Sequence, residues 1–84
     1  MSDDTIMLSV FVPAEGKTLE VRTPRGIKAA VLIKDLAEII NRRGGEFIPD
    51  ASTVLCVRKS GEILNPDTFI DDIGLINGSE LFLI

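Results

Sequence analysis

Phe69-Ile70-Asp71-Asp72-Ile73-Gly74-Leu75-Ile76-Asn77-Gly78-Ser79-Glu80-Leu81-Phe82-Leu83-Ile84 is the stretch that decides how this 84-residue chain folds. Asn77-Gly78 signals a tight turn, because both residues tolerate positive φ and let a strand begin at once. Glu80 to Ile84 is that strand. Alternation sends Leu81 and Leu83 to one face and Phe82 and Ile84 to the other; since all four are apolar, the strand belongs inside a sheet rather than at a solvated edge. A late strand that must be central has to insert between strands made earlier, which leaves only small mixed sheets. Just upstream, Asp71 to Leu75 reads as a short turn, with Asp71-Asp72 expected to cap it ahead of Gly74.

The partners of that strand lie at the other end of the chain. From Thr5 to Val12, Ile6, Leu8, Val10 and Val12 alternate with Met7, Ser9 and Phe11, the period of a half-buried strand. Pro13-Ala14-Glu15-Gly16 breaks it. Thr18 to Thr23 then places Leu19 and Val21 inward with Glu20 and Arg22 outward, so the two segments form a hairpin. After Thr23-Pro24-Arg25-Gly26, the residues Ala29, Leu32, Ile33, Leu36 and Ile40 recur at helical spacing, opposite Lys34, Asp35, Glu38 and Asn41. No Ser or Asp precedes this pattern, so the helix start falls only between Ile27 and Ala30. Its end is sharp: Arg42-Arg43 suits the negative end of the helix dipole, and Gly44-Gly45 suits a C-cap. Val54 to Arg58 reads as a short apolar strand, Lys59 to Glu62 as a turn, Ile63-Leu64 as a brief pairing segment and Asn65-Pro66-Asp67 as another turn. The expected fold class is α+β, in the order ββαββ, with a mixed sheet packed on one helix.

At 84 residues the chain makes one domain, expected over 5–84 after a disordered segment 1–4. It is 45% hydrophobic without low-complexity tracts, which is the apolar content of a folded globule. A net charge of −4, with Arg42-Arg43 and Arg58-Lys59 the only basic pairs, argues against nucleic acid or an anionic membrane as partner. No window of about 18 continuous apolar residues is present, and the acidic start MSDDTIML does not resemble an export signal, so a cytoplasmic location is expected.

Several residues invite a chemical role and are better explained without one. The chain has no histidine, which removes Ser-His and Cys-His pairs and any His-ligated zinc. Cys56, the single cysteine, sits mid-strand and reads as a small packing residue. Asp67, Asp71 and Asp72 lack the glycine and terminal glutamate of a calcium loop. No enzymatic activity, cofactor or metal is therefore expected.

The order of elements and several local strings resemble ubiquitin and its β-grasp relatives. Gly16-Lys17-Thr18-Leu19-Glu20-Val21 resembles the second half of ubiquitin's first hairpin; Ile48-Pro49-Asp50 resembles the loop after its helix; Val54 to Val57, Phe69 to Leu75 and Ser79 to Ile84 resemble its third strand, late turn and last strand. The likeness spans Thr5 to Ile84. It implies a β-grasp roll in which the last strand lies parallel to the first at the sheet centre. Gly74-Leu75-Ile76-Asn77-Gly78-Ser79-Glu80-Leu81 is also similar to the end of the YukD/EsaB group of ubiquitin-like proteins associated with bacterial type VII secretion. A further resemblance is to the small ubiquitin-like subunit of multicomponent oxygenases, through Val57-Arg58-Lys59. Arg42-Arg43-Gly44-Gly45 resembles the tail of conjugated ubiquitins, but it lies mid-chain and reads as the helix C-cap.

The sequence stops at Ile84, within the last strand, where ubiquitin continues to its diglycine. On the resemblance, an adaptor that is not conjugated is expected; a truncated modifier is the alternative. If the inward alternates form the core, Met7, Phe11, Cys56, Phe82 and Ile84 project from the outer face of the sheet. Cys56, Phe82 and Ile84 match the Ile, His and Val of ubiquitin's partner-binding patch, while the loop Leu of that patch is replaced by Ala14 or Glu15. The resemblance thus implies another protein as partner, bound through this face.

Overall fold

The structure is a computed structural model and describes residues 4–84. The alternating N-terminal segments form strands β1 (Thr5–Val12) and β2 (Lys17–Pro24), paired antiparallel from Thr5↔Pro24 to Val12↔Lys17. Helix α1 (Ala29–Arg42) follows, then β3 (Leu55–Val57), a short 3-10 helix (Ile70–Ile73) and β4 (Ser79–Leu83). The sheet order is β2-β1-β4-β3. β4 enters between β1 and β3, parallel to the first (Phe11↔Phe82) and antiparallel to the second (Cys56↔Phe82). This is the ubiquitin-like β-grasp arrangement, with the late strand in the central position its apolar residues require.

Ile6, Leu8, Val10, Val12, Leu19, Val21, Leu81 and Leu83 are buried on one face of the sheet, together with Leu32, Ile33, Leu36 and Ile40 of α1. Leu55, Leu64 and Ile70 close the same core, and Leu64 is held by its N–H donating to the Leu55 carbonyl at 2.8 Å. Ile63, expected to pair briefly, makes a single bridge with Cys56. Each fully buried aliphatic of this kind contributes about 1.5–3 kcal/mol.

The helix ends where the glycines stand. Gly44 adopts φ 88°, its N–H donates to the Asn41 carbonyl at 3.2 Å, and the Gly45 N–H donates to Ile40 at 3.0 Å, the paired bonds of a Schellman cap. A Cβ at Gly45 would stand 2.5 Å from the Ile40 side chain, so this second glycine is required by space. The helix start has no side-chain cap. Instead, the Ala29 and Ala30 N–H groups donate to the carbonyls of Thr68 and Pro66, at 2.9 and 3.0 Å. A distant loop therefore satisfies donors that no nearby side chain reaches.

Two expectations need correction. The cap predicted for Asp71-Asp72 is not made: both carboxylates lie in the first turn of the 3-10 helix, Phe69 holds the N-cap position without a side-chain bond, and the Ile70 N–H donates to the Ile27 carbonyl at 2.8 Å. The last strand is one register earlier than Glu80–Ile84, although Ile84 and Val54 exchange both backbone bonds just beyond it. The expected disorder of 1–4 falls, for 1–3, outside the described residues. Asp4 is tied to the hairpin by its carbonyl, which accepts the Arg25 N–H at 2.8 Å.

Thr23 is a flaw in the core. It is buried opposite Ile6, and its Oγ1 finds no hydrogen-bond partner among the described residues. Thr23→Val is expected to raise stability by about 1 kcal/mol, because it removes a desolvated hydroxyl while keeping the side-chain shape. Leu36→Ala and Leu81→Ala are expected to lower it by about 2–5 kcal/mol each through cavities beneath the helix. Urea denaturation measures all three, and unchanged midpoints for the leucine variants would contradict the assigned core.

Candidate functional site: the outer face of the sheet

Because α1 covers only one face of the sheet, the alternates of the core residues project from the other. The register aligns them in rows. One row runs Thr18, Phe11, Phe82, Cys56 across β2, β1, β4 and β3, and Ile63 continues it through its bridge to Cys56. At its centre the Phe11 and Phe82 rings meet edge to face, with centroids 6.1 Å apart and planes at 78°. That geometry sets the positive edge of one ring against the negative face of the other. Phe11, Ile63 and Ile84 are exposed, Phe82 and Cys56 half-buried. Ile84 is one alternate beyond Phe82, so Phe11, Phe82, Cys56, Ile63 and Ile84 make one continuous apolar strip.

Met7 is on the same face but outside the strip. The intervening row is polar: Glu20, Ser9, Glu80, then Arg58, whose backbone N–H donates to the Glu80 carbonyl and whose guanidinium pairs with the Glu80 carboxylate. Both side chains of that pair are more than half exposed, so it adds little stability and instead gives the strip a charged border. Ser9, Thr18, Arg58 and Glu80 frame a shallow depression of about 280 Å3 beside the two rings. Met7 itself is fixed at the start of the β1–β4 pairing, where its N–H donates to Asn77 Oδ1 at 2.9 Å and its carbonyl accepts the Gly78 N–H at 2.8 Å.

Sequence reasoning placed Met7, Phe11, Cys56, Phe82 and Ile84 on this face. It missed Ile63 and the Ser9–Glu80–Arg58 border, because both depend on register between strands far apart in the chain. The one clear titration shift lies elsewhere: hydrogen bonds from the Ser52 side chain and backbone hold the exposed Asp50 carboxyl below its usual range, an internal turn contact of the loop after α1. Among the described residues no cluster of His, Cys, Asp or Glu has the makings of a metal site. No helix is long and apolar enough to cross a membrane.

No family model and no curated protein matches this sequence. Solved structures match its fold closely, several ubiquitin-like domains among them. The ubiquitin-like domain of Plasmodium falciparum Dsk2 is similar at 24% identity and TM-score 0.74, over 94% of this chain and 95% of that one. A chain of a toluene 4-monooxygenase HD complex with the inhibitor 4-bromobenzoate is similar at 14% identity and TM-score 0.77, over 94% and 95%. A chain of a MycP5-free ESX-5 inner membrane complex is similar at 16% and 0.76, over 98% of this chain but 21% of that one. With 407 chains sharing the fold, the likeness establishes architecture and leaves function to the surface.

A double-mutant cycle tests the ring pair. Phe11→Ala and Phe82→Ala are expected to couple by about 0.5–1.5 kcal/mol in unfolding free energy. Additive effects would mean that the rings do not meet.

Proposed function

We propose that this domain is a non-enzymatic protein-interaction module, an adaptor that binds another protein through the outer face of its sheet, with Met7, Phe11, Cys56, Phe82 and Ile84 as the contact residues. The observation that carries this reading is the strip centred on the Phe11–Phe82 pair: apolar, continuous across the strands, uncovered by the helix and bordered by the Arg58–Glu80 pair. Contiguous exposed apolar surface with a charged rim is what interaction sites present. Affinity in such sites is concentrated in a few aromatic or aliphatic anchors, and Phe82, on the central strand between Phe11 and Cys56, is placed to be one.

Association with bacterial secretion is the more specific form of the proposal, with the protein working in the cytoplasm. It is supported by the Gly74–Leu81 string and by the fold shared with a chain of the ESX-5 inner membrane complex. The second reading, a small subunit of a multicomponent oxygenase, is supported by the fold shared with the toluene 4-monooxygenase complex over almost the full length of both chains. Proteins encoded beside the gene distinguish them: the first reading expects binding to a secretion component, the second co-purification with a large iron-containing chain.

Phe82→Asp is expected to leave the far-ultraviolet circular dichroism unchanged while weakening the partner by at least about 2 kcal/mol, the scale of an interface anchor. Titration of wild type and variant against the neighbour-encoded partner measures it. Unchanged affinity in a folded variant moves the site off the sheet.

A further inference from the structure

A second surface lies at the edge of the sheet. The order β2-β1-β4-β3 leaves β2 with one side unpaired by any strand, over eight residues from Lys17 to Pro24. The phase of the hairpin shows which backbone groups point there. Arg25 donates its N–H to the Asp4 carbonyl, one position beyond Thr5↔Pro24, and both backbone groups of Met7 are turned toward Asn77 and Gly78, away from β2. Met7 and its partner Arg22 thus form a pair that is not hydrogen-bonded, and so do Ser9 and Glu20, and Phe11 and Thr18. The N–H and C=O groups of Thr18, Glu20 and Arg22 are therefore directed out of the sheet. On the helix side of this edge, Ile39, Arg42 and Arg43 stand back from Glu20, Val21 and Arg22 around an open depression of about 320 Å3.

The side chains along this edge are self-complementary. When two copies of β2 run antiparallel about a two-fold axis through Val21, Glu20 of each faces Arg22 of the other, and Thr18 faces Pro24. The outward backbone groups fall into hydrogen-bonded register, and Val21 meets its own copy on the core side. Moving the axis to Glu20 or Arg22 sets like charges directly opposite, and moving it to Leu19 or Thr23 leaves no ion pair. Opposite charges across a strand pair stabilise it and like charges oppose it, so charge selects the single register. Arg22 also donates to Thr5 Oγ1 at 3.0 Å, and a guanidinium with five N–H donors serves a carboxylate alongside that hydroxyl.

We propose that the domain self-associates through β2, two copies forming one continuous sheet centred on Val21. Pairing at the edge keeps each face on its own side, so the two outer faces are presented together in one direction. The occupant of the edge is a second copy of this chain, independent of what the outer face binds.

Sedimentation and backbone NMR of the intact chain, over about 10 µM to 1 mM, test it in the range where weak specific contacts dissociate. Concentration-dependent dimerisation is expected, with amide shifts centred on Thr18, Glu20 and Arg22. Glu20→Arg or Arg22→Glu alone is expected to weaken association about tenfold, because each places two like-charged pairs in register. Glu20→Arg with Arg22→Glu restores the pairs with signs exchanged and is expected to dimerise as the wild type does, which decides the matter even where a single variant folds poorly. A chain that stays monomeric throughout, single reversals that dimerise normally, a double exchange that fails to restore dimers, or shifts centred on Phe11, Phe82 and Ile84 would each overturn the proposal.

Discussion

The parallel pairing of β1 with β4 is the constraint on which the rest of the molecule hangs. β3 reaches the sheet only through β4, and the Ile63–Leu64 segment only through β3. The pairing is started by a turn whose two residues divide the work. Gly78 takes φ 89° so that the chain reverses into the strand, while the Asn77 side chain accepts the Met7 N–H where no backbone carbonyl stands in register. One asparagine oxygen thus extends the ladder past the end of β4. Without the insertion, Leu8 and Val10 lose Leu81 and Leu83 as neighbours, and the helix has only a hairpin to cover.

Features governed by local chemistry were legible from the sequence, and those governed by distant contacts were not. The alternation in β1, β2 and β4 identified the core face, because a two-residue period admits only two registers and the wrong one exposes every leucine. Arg42, Gly44 and Gly45 marked the helix end because the cap is built from its own last turn. The helix start was vague for the opposite reason: its donors are met by the carbonyls of Thr68 and Pro66, almost forty residues away in sequence. Asp71-Asp72 looked like a cap by residue type alone, yet the backbone of Ile27 already anchors that turn. On the outer face, alternation named the exposed residues, but the division between strip and border appears only when Phe11, Phe82 and Cys56 are aligned by pairing.

The two faces of the sheet and its free edge carry different chemistry from the same strands. In β2, Leu19, Val21 and Thr23 face the core while Glu20 and Arg22 face solvent beside an unpaired edge. In β4, Leu81 and Leu83 fill the core while Phe82 centres the exposed strip. Every residue of these strands is thus committed to one side, which is how so short a chain combines a complete core with an apolar outer surface. The unpartnered hydroxyl of Thr23 shows that this economy is imperfect.

The position of β4 in the chain also governs how the protein is made. β1 leaves the ribosome first and β4 after everything else described here, so the hairpin and helix exist for a time with a vacant slot along β1. At about 5–20 residues per second, the chain from Arg42 to Ile84 takes roughly 2–8 s to synthesise. During those seconds the edge from Met7 to Phe11 offers unpaired backbone and uncovered Leu8 and Val10 to any extended segment nearby. The nascent domain is therefore most exposed to chaperones, and to mispairing with neighbouring chains on a polysome, just before completion, and the speed of translation through the last forty codons sets how long that exposure lasts.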